Sequence, residues 1–216
     1  MDLVETENQI VDLINNAKNI AIVPSKIVDI DGFTAGVALY HLLKGKEKNV
    51  SFVYEGKEPD NCSRLIDQKE ITSDVSHKEL LVSIDYSGTT ASKVHYSTED
   101  DVLYLKISPI NKDFDLNKVK ARVKGYDFDV VFTVGVQGLE DLGQIYRELS
   151  NDFAGAKIIN LDNTERNQRF GNLNVVDSSE ESLCLLVLDK ALGWGLKVNK
   201  KAAKALLTGI TYKTGS

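Results

Sequence analysis

The chain has 216 residues, 42% of them hydrophobic, and its 26 basic and 32 acidic side chains leave a net charge of −6. That balance does not point to a broad nucleic-acid-binding surface, though it leaves room for a small basic cleft, and no apolar run approaches the length of a membrane span. The opening Met1-Asp2-Leu3-Val4-Glu5 lacks the basic and apolar parts of a secretory signal, and Cys62 and Cys184 lack metal-type spacing, so the chain reads as cytoplasmic with two reduced thiols and no membrane contact.

Ile10, Leu13, Ile14 and Ala17 repeat at helical spacing ahead of the first strand, Ile20-Ala21-Ile22-Val23-Pro24. A turn carrying Asp29 and Asp31 leads into an amphipathic helix marked by Phe33, Val37, Tyr40 and Leu43. Strands follow at Val50–Glu55 and Leu80–Asp85, the first ended by Gly56 and Pro59. Lys93–Ser97 and Val102–Ser108 flank the acidic turn Glu99-Asp100-Asp101 and read as an antiparallel hairpin. Asp127–Val136 is a strongly apolar strand, followed by a helix on Leu139, Leu142, Ile145, Tyr146 and Leu149. Lys157–Asp162 is a further buried strand, Asn163–Gly171 a polar loop, and Leu173–Val176 a short strand. Leu183, Leu186, Val187 and Ala191 mark a helix ending near Gly193, and Ala202–Ile210 begins the last one.

Strands alternating with helices predict an α/β fold, a mostly parallel sheet with helices on both faces, carrying an antiparallel hairpin insertion near residues 80–110. No Gly-, Pro- or Ser-rich linker divides the chain, so residues 1–216 read as one domain. Two carboxylates two residues apart, between a strand and a helix, sit where parallel sheets bind ligands, and both can face one hard cation. The same pair also suits helix capping.

Four stretches then accumulate in order. They are Val23-Pro24-Ser25 through Asp29-Ile30-Asp31-Gly32-Phe33-Thr34-Ala35-Gly36; Phe132-Thr133-Val134-Gly135 with Leu139-Glu140-Asp141-Leu142-Gly143; Leu161 through Gly171; and Leu207-Thr208-Gly209-Ile210-Thr211-Tyr212-Lys213-Thr214-Gly215. Together they resemble the four motifs of the DHH phosphoesterase family, which includes RecJ-type exonucleases, oligoribonucleases, cyclic-dinucleotide phosphodiesterases and some pyrophosphatases. The resemblance covers nearly the whole chain and implies a DHH-type α/β domain. Family enzymes usually continue into a smaller C-terminal substrate-binding domain, to which nothing in this sequence corresponds.

The family holds two Mn²⁺-type ions on six side chains. Mapped onto this sequence, Asp29 and Asp31 are kept, Ser25 and Asn163 stand at the two His positions, and Gly135 and Lys213 stand at two Asp positions. Asp162 keeps the leading Asp of the third motif, which is not one of the six. Serine and asparagine lack the donor strength of imidazole, glycine offers nothing, and an ammonium repels a dication. No cofactor is therefore expected, and weak binding of one Mg²⁺ or Mn²⁺ on Asp29 and Asp31 is the most this set supports. Lys213 paired with Asp29 or Asp31 would replace the metal as the glue of a residual cleft formed by Asp29, Asp31, Asp162, Asn163 and Lys213.

Arg166, Asn167 and Arg169 follow in one loop and suit phosphate binding, so a nucleotide or short oligonucleotide is one candidate partner and a solvated loop the alternative. His41, His77 and His95 lie outside the motifs and read as surface or satisfied histidines. Trp194 reads as packing a helix end, and Ser87-Gly88-Thr89-Thr90 as a turn. The resemblance with its departures implies a catalytically degenerate domain with no catalytic residues, which binds a nucleotide or protein partner or acts as a scaffold. Two rivals stand beside it. One is a metal-dependent phosphoesterase acting on short oligonucleotides or cyclic dinucleotides; the other is a structural module whose hairpin edge pairs with a partner or forms a homodimer.

Overall fold

The computed structural model describes residues 3–73, 79–88, 93–110, 113–124, 128–148 and 155–215. The expectations at His77, Thr89, Thr90, Asp127 and Leu149 lie outside them. Strands β1 (Asn19–Pro24), β2 (Asn49–Val53) and β3 (Ile71–Thr72) come first along the chain. Next are β4 (Glu79–Ile84), β5 (Lys93–Glu99), β6 (Val102–Ser108) and β7 (Val119–Lys124), and then β8 (Val130–Val134), β9 (Lys157–Asp162) and β10 (Leu173–Val176). The α-helices are α1 (Leu3–Asn16), α2 (Ile30–Lys44), α3 (Gln144–Glu148), α4 (Leu183–Gly193) and α5 (Lys200–Thr214). Two compact units result, Met1–His77 with Tyr126–Ser216, and Lys78–Gly125.

The first unit carries a six-stranded parallel sheet in the order β10-β9-β8-β1-β2-β3. From β1 the chain builds outward to β2 and β3 on one side and later to β8, β9 and β10 on the other. The switch point therefore lies between β1 and β8, where the loops after the two strands part, the position at which open parallel sheets form their ligand crevice. Alternation along the strands feeds two cores. Ile20 and Ile22 of β1 join Val130, Phe132 and Val134 of β8 under α2, α4 and α5, while Ala21, Val23 and Val131 pack against Leu142 and Ile145 on the opposite face. Because both faces are covered, these strands read as nearly continuous apolar runs.

Helix α2 is apolar almost all round, and every residue from Asp31 to Leu43 is buried. It lies between the sheet and helices α4 and α5, as a helix without a polar face must. His41 is one of its buried residues, with Nε2 2.8 Å from the Leu65 carbonyl, and burial lowers its pKa. Trp194, just past α4, is buried with its ring 5.8 Å from that of Phe132, and its Nε1–H donates to Glu7 of α1 over 2.7 Å. Both cysteines are buried and unpaired.

The second unit carries the expected antiparallel insertion with one strand more than the sequence reading named. Strand β4 pairs antiparallel with β7, an unexpected strand. The expected hairpin is present as β5–β6, in full register from Lys93↔Ser108 to Glu99↔Val102. Its loop residues Asp100 and Asp101 both take positive φ, the geometry of a tight two-residue turn. The helix expected from Leu139 is also divided: a 3-10 turn over Leu139–Leu142 stops at Gly143, whose φ of 63° lies in the left-handed region, and α3 begins afresh.

Gly209 of α5 lies where α2, α4 and α5 converge. A Cβ there would run into Cys184 Sγ and Thr34 Oγ1 and come within 3.0 Å of Asp31 Oδ1. Gly209→Ala is therefore expected to destabilise the chain by about 1–3 kcal/mol, read from the urea midpoint, despite the helix propensity alanine gains. An unchanged or raised midpoint would contradict this packing.

Candidate functional site

The crevice at the switch point is built from the loops after β1, β8 and β9 and from the start of α2. Ser25, completely buried, closes β1: its N–H donates to the Val134 carbonyl, and its Oγ accepts from the Ile27 N–H. Asp29 is the N-cap of α2 and accepts from the Gly32 N–H over 3.0 Å. Its other oxygen, Oδ2, meets Lys213 Nζ from the last turn of α5 at 3.1 Å. Both side chains are partly exposed, and the hydrogen bond to Asp29 is the main cause that raises the Lys213 pKa. The sequence-expected pair is thus formed on Asp29.

Asp31 goes elsewhere. Two residues on, already inside the helix, it is 1% exposed and turned into the protein. Its Oδ1 accepts from Ser182 Oγ at 2.7 Å and from the Cys184 N–H at 3.1 Å, and its Oδ2 accepts from the Leu183 N–H at 2.7 Å. These donors are the N-cap and first two backbone amides of α4, the place where a helix presents unpaired N–H groups and its positive dipole end. A phosphate commonly fills such a position; here a carboxylate from the same chain does. The two aspartates therefore face different partners, an ammonium for one and a helix terminus for the other. Burial, and after it the Asp31 charge, pushes the Cys184 thiol far above its ordinary range, which keeps it protonated and unreactive.

Gly135 ends β8 with a φ of 65°. A side chain there would meet Leu183 Cδ1 and Val28 Cγ1, each at 3.1 Å. Val28 also crowds Gly32, so two apolar side chains fill the space between the first and second motifs.

At the end of β9, Asp162 is 3% exposed; its Oδ1 accepts from the Asn163 N–H and its Oδ2 from Asn167 Nδ2. Burial raises its pKa, opposed by those two donors. The Asn163 amide donates to the Glu180 carbonyl at 2.9 Å, on the approach to α4. Asn167 is a buried hub: Nδ2 donates to Asp162 and to the Val136 carbonyl, and Oδ1 accepts from Asn160 Nδ2 and the Arg169 N–H. An amide committed four times has little left for a phosphate. Its neighbours differ, since Arg166 and Arg169 are both exposed. Arg169, at a φ of 52°, lines a groove of about 560 Å³ beside β10 with Asn172, Asn174 and Lys190. Among the described residues, no group of three His, Cys, Asp or Glu side chains is arranged to hold a metal ion.

Sequence reasoning missed Ser182, Leu183 and Val28. Ser182 had a readable signal as a polar residue before an apolar helix. The apolar pair had none, since each looks like ordinary core.

No family model matches the chain. Fourteen chains of known structure do. One is the crystal structure of an exopolyphosphatase-related protein from Bacteroides fragilis, with a TM-score of 0.68 and 15% identity. The match covers 100% of this chain and 52% of that one, so this chain spans about half the length of its neighbour. At that identity the likeness establishes a shared α/β fold.

The unequal roles of the two aspartates set their mutational costs. Asp31→Ala leaves three buried donors unmet and should cost about 3 kcal/mol or more in urea unfolding. Asp29→Ala removes an N-cap and an exposed ion pair and should cost about 1–2 kcal/mol. Equal costs, or a larger one at Asp29, would contradict the assignment of Asp31 as the buried anchor.

Proposed function

We propose that this chain is a DHH-type domain that has given up two-metal phosphoester hydrolysis and serves as a non-hydrolytic binding or scaffold domain. The observation that carries this reading is the capture of Asp31 by the N-terminus of α4. A carboxylate already accepting three hydrogen bonds would have to break them to coordinate a cation, leaving the helix terminus unpaired. Three further features support it. Lys213 holds Asp29 with a positive charge of its own. Val28 and Leu183 close over Gly135, where the family's bridging carboxylate would stand. The Asn163 amide is directed at a backbone carbonyl. The residues present thus do not fit a dinuclear centre.

What remains at the rim is suited to holding an anion. Arg166 projects from the loop after β9 and Lys26 from the loop after β1, both exposed and both at the carboxyl ends of the strands. A nucleotide or a short oligonucleotide is the ligand class this rim fits, bound through its phosphates without turnover. The rival reading is a metal-dependent phosphoesterase on short oligonucleotides or cyclic dinucleotides. It is favoured by the likeness to an exopolyphosphatase-related protein and by the presence of Asp29 at the crevice.

A single preparation distinguishes the two. With Mn²⁺ present, a diribonucleotide is expected to remain intact over hours, while amide resonances of residues 163–169 shift on its addition and Arg166→Ala weakens that response. Turnover that Asp29→Ala abolishes would overturn the proposal in favour of the enzyme reading.

A further inference from the structure

The β5–β6 ribbon has one mixed face, where Tyr104 and Val102 stand among polar side chains, and one almost wholly apolar face. Register pairs Val94 with Ile107, Tyr96 with Leu105 and Thr98 with Leu103, so five apolar side chains share a face with one threonine. Tyr96 is 78% exposed, Val94 66%, Leu103 57% and Leu105 50%. Among the described residues this sheet has only its two strands, and a two-stranded ribbon is marginal in water without a third strand or a covering layer. An edge carrying an apolar face and little charge calls for a partner.

The charge pattern along β5 says which partner. Lys93 lies at one end of the strand, and Glu99, followed by Asp100 and Asp101, at the other. A second β5 laid parallel would set lysine on lysine and glutamate on glutamate. Laid antiparallel about Tyr96, it sets Lys93 against Glu99 of the second copy at both ends, Val94 against Thr98, and Tyr96 against itself.

The backbone agrees with that register. The two-residue loop closes on a hydrogen-bonded pair, Glu99 and Val102, so Glu99, Ser97, His95 and Lys93 direct their amides toward β6. Val94, Tyr96 and Thr98 direct theirs outward. These are the residues that antiparallel pairing about Tyr96 places opposite one another, giving roughly six inter-chain hydrogen bonds. The outer edge of β6 lacks such a match, because the same operation there sets Tyr104 against Lys106 and makes no ion pair.

We propose that β5 is a self-association edge, and that two copies of this chain pair antiparallel through it into one four-stranded sheet with a two-fold axis at Tyr96. The axis runs perpendicular to the sheet, so the apolar faces of the two ribbons lie on the same side and become one continuous surface. The interface is isologous and closes at two copies. It is independent of the crevice and of what the crevice binds.

Sedimentation equilibrium of the full chain tests this. The native chain is expected to show a reversible monomer–dimer equilibrium. Glu99→Lys and Lys93→Glu each turn two attractions into repulsions and should raise the dimer dissociation constant by ~10-fold or more. The double variant restores the pairs with reversed sign and should return to within a few-fold of the native constant. Both substituted side chains are exposed in each copy, so circular dichroism and melting should match the native chain at concentrations where the native chain is also monomeric. A native chain that stays monomeric at every concentration, single variants that dimerise as the native chain does, or a double variant no better than the singles would each overturn the proposal.

Discussion

One buried carboxylate organises this crevice. Asp31 belongs to the first turn of α2 but serves the first turn of α4, 151 to 153 residues later. A charge taken so far out of water is tolerable only where hydrogen bonds and opposing charge replace the solvent, and a helix N-terminus supplies both. Once Asp31 is so used, α4 is fixed across the end of α2, Leu183 is carried over Gly135, and Gly209 must stay small to let α5 approach. The ion pair of Lys213 with Asp29 then closes the same corner from the solvent side.

On the proposed reading, that arrangement lets the fold persist without a metal centre. Two carboxylates held close need positive charge nearby, whatever its source. Here it comes from a helix dipole for one and an ammonium for the other. Serine, glycine, asparagine and lysine at the remaining positions are each bonded within the chain or packed against it, so the crevice is stable as it stands. Arg166 and Lys26 remain exposed at the carboxyl ends of the strands.

The parallel sheet was legible because strands covered on both faces leave charge-free runs such as Ile20–Val23 and Val130–Val134. The hairpin was legible because its acidic two-residue turn separates two β-rich stretches. Strand β7 went unread although Val119-Lys120-Ala121-Arg122-Val123-Lys124 alternates strictly, so its partner, Leu80–Asp85, was read as a strand without its pairing. In the site, a Lys213 pair with Asp29 or Asp31 was implied by the family resemblance, and the structure forms it on Asp29. The capture of Asp31 left no local trace, since its donors lie so far along the chain. Asn167 looked like a loop amide ready for phosphate, because polarity alone cannot distinguish a solvated side chain from a buried one bonded to Asp162, Asn160, Val136 and Arg169.

The most direct test is a calorimetric titration of the native chain with Mn²⁺ at neutral pH. If the helix terminus and Lys213 have taken the places of the ions, no saturable heat should appear at micromolar metal. Tight binding of two ions per chain, lost in both Asp29→Ala and Asp31→Asn, would show that these carboxylates are released to coordinate metal and would contradict the account.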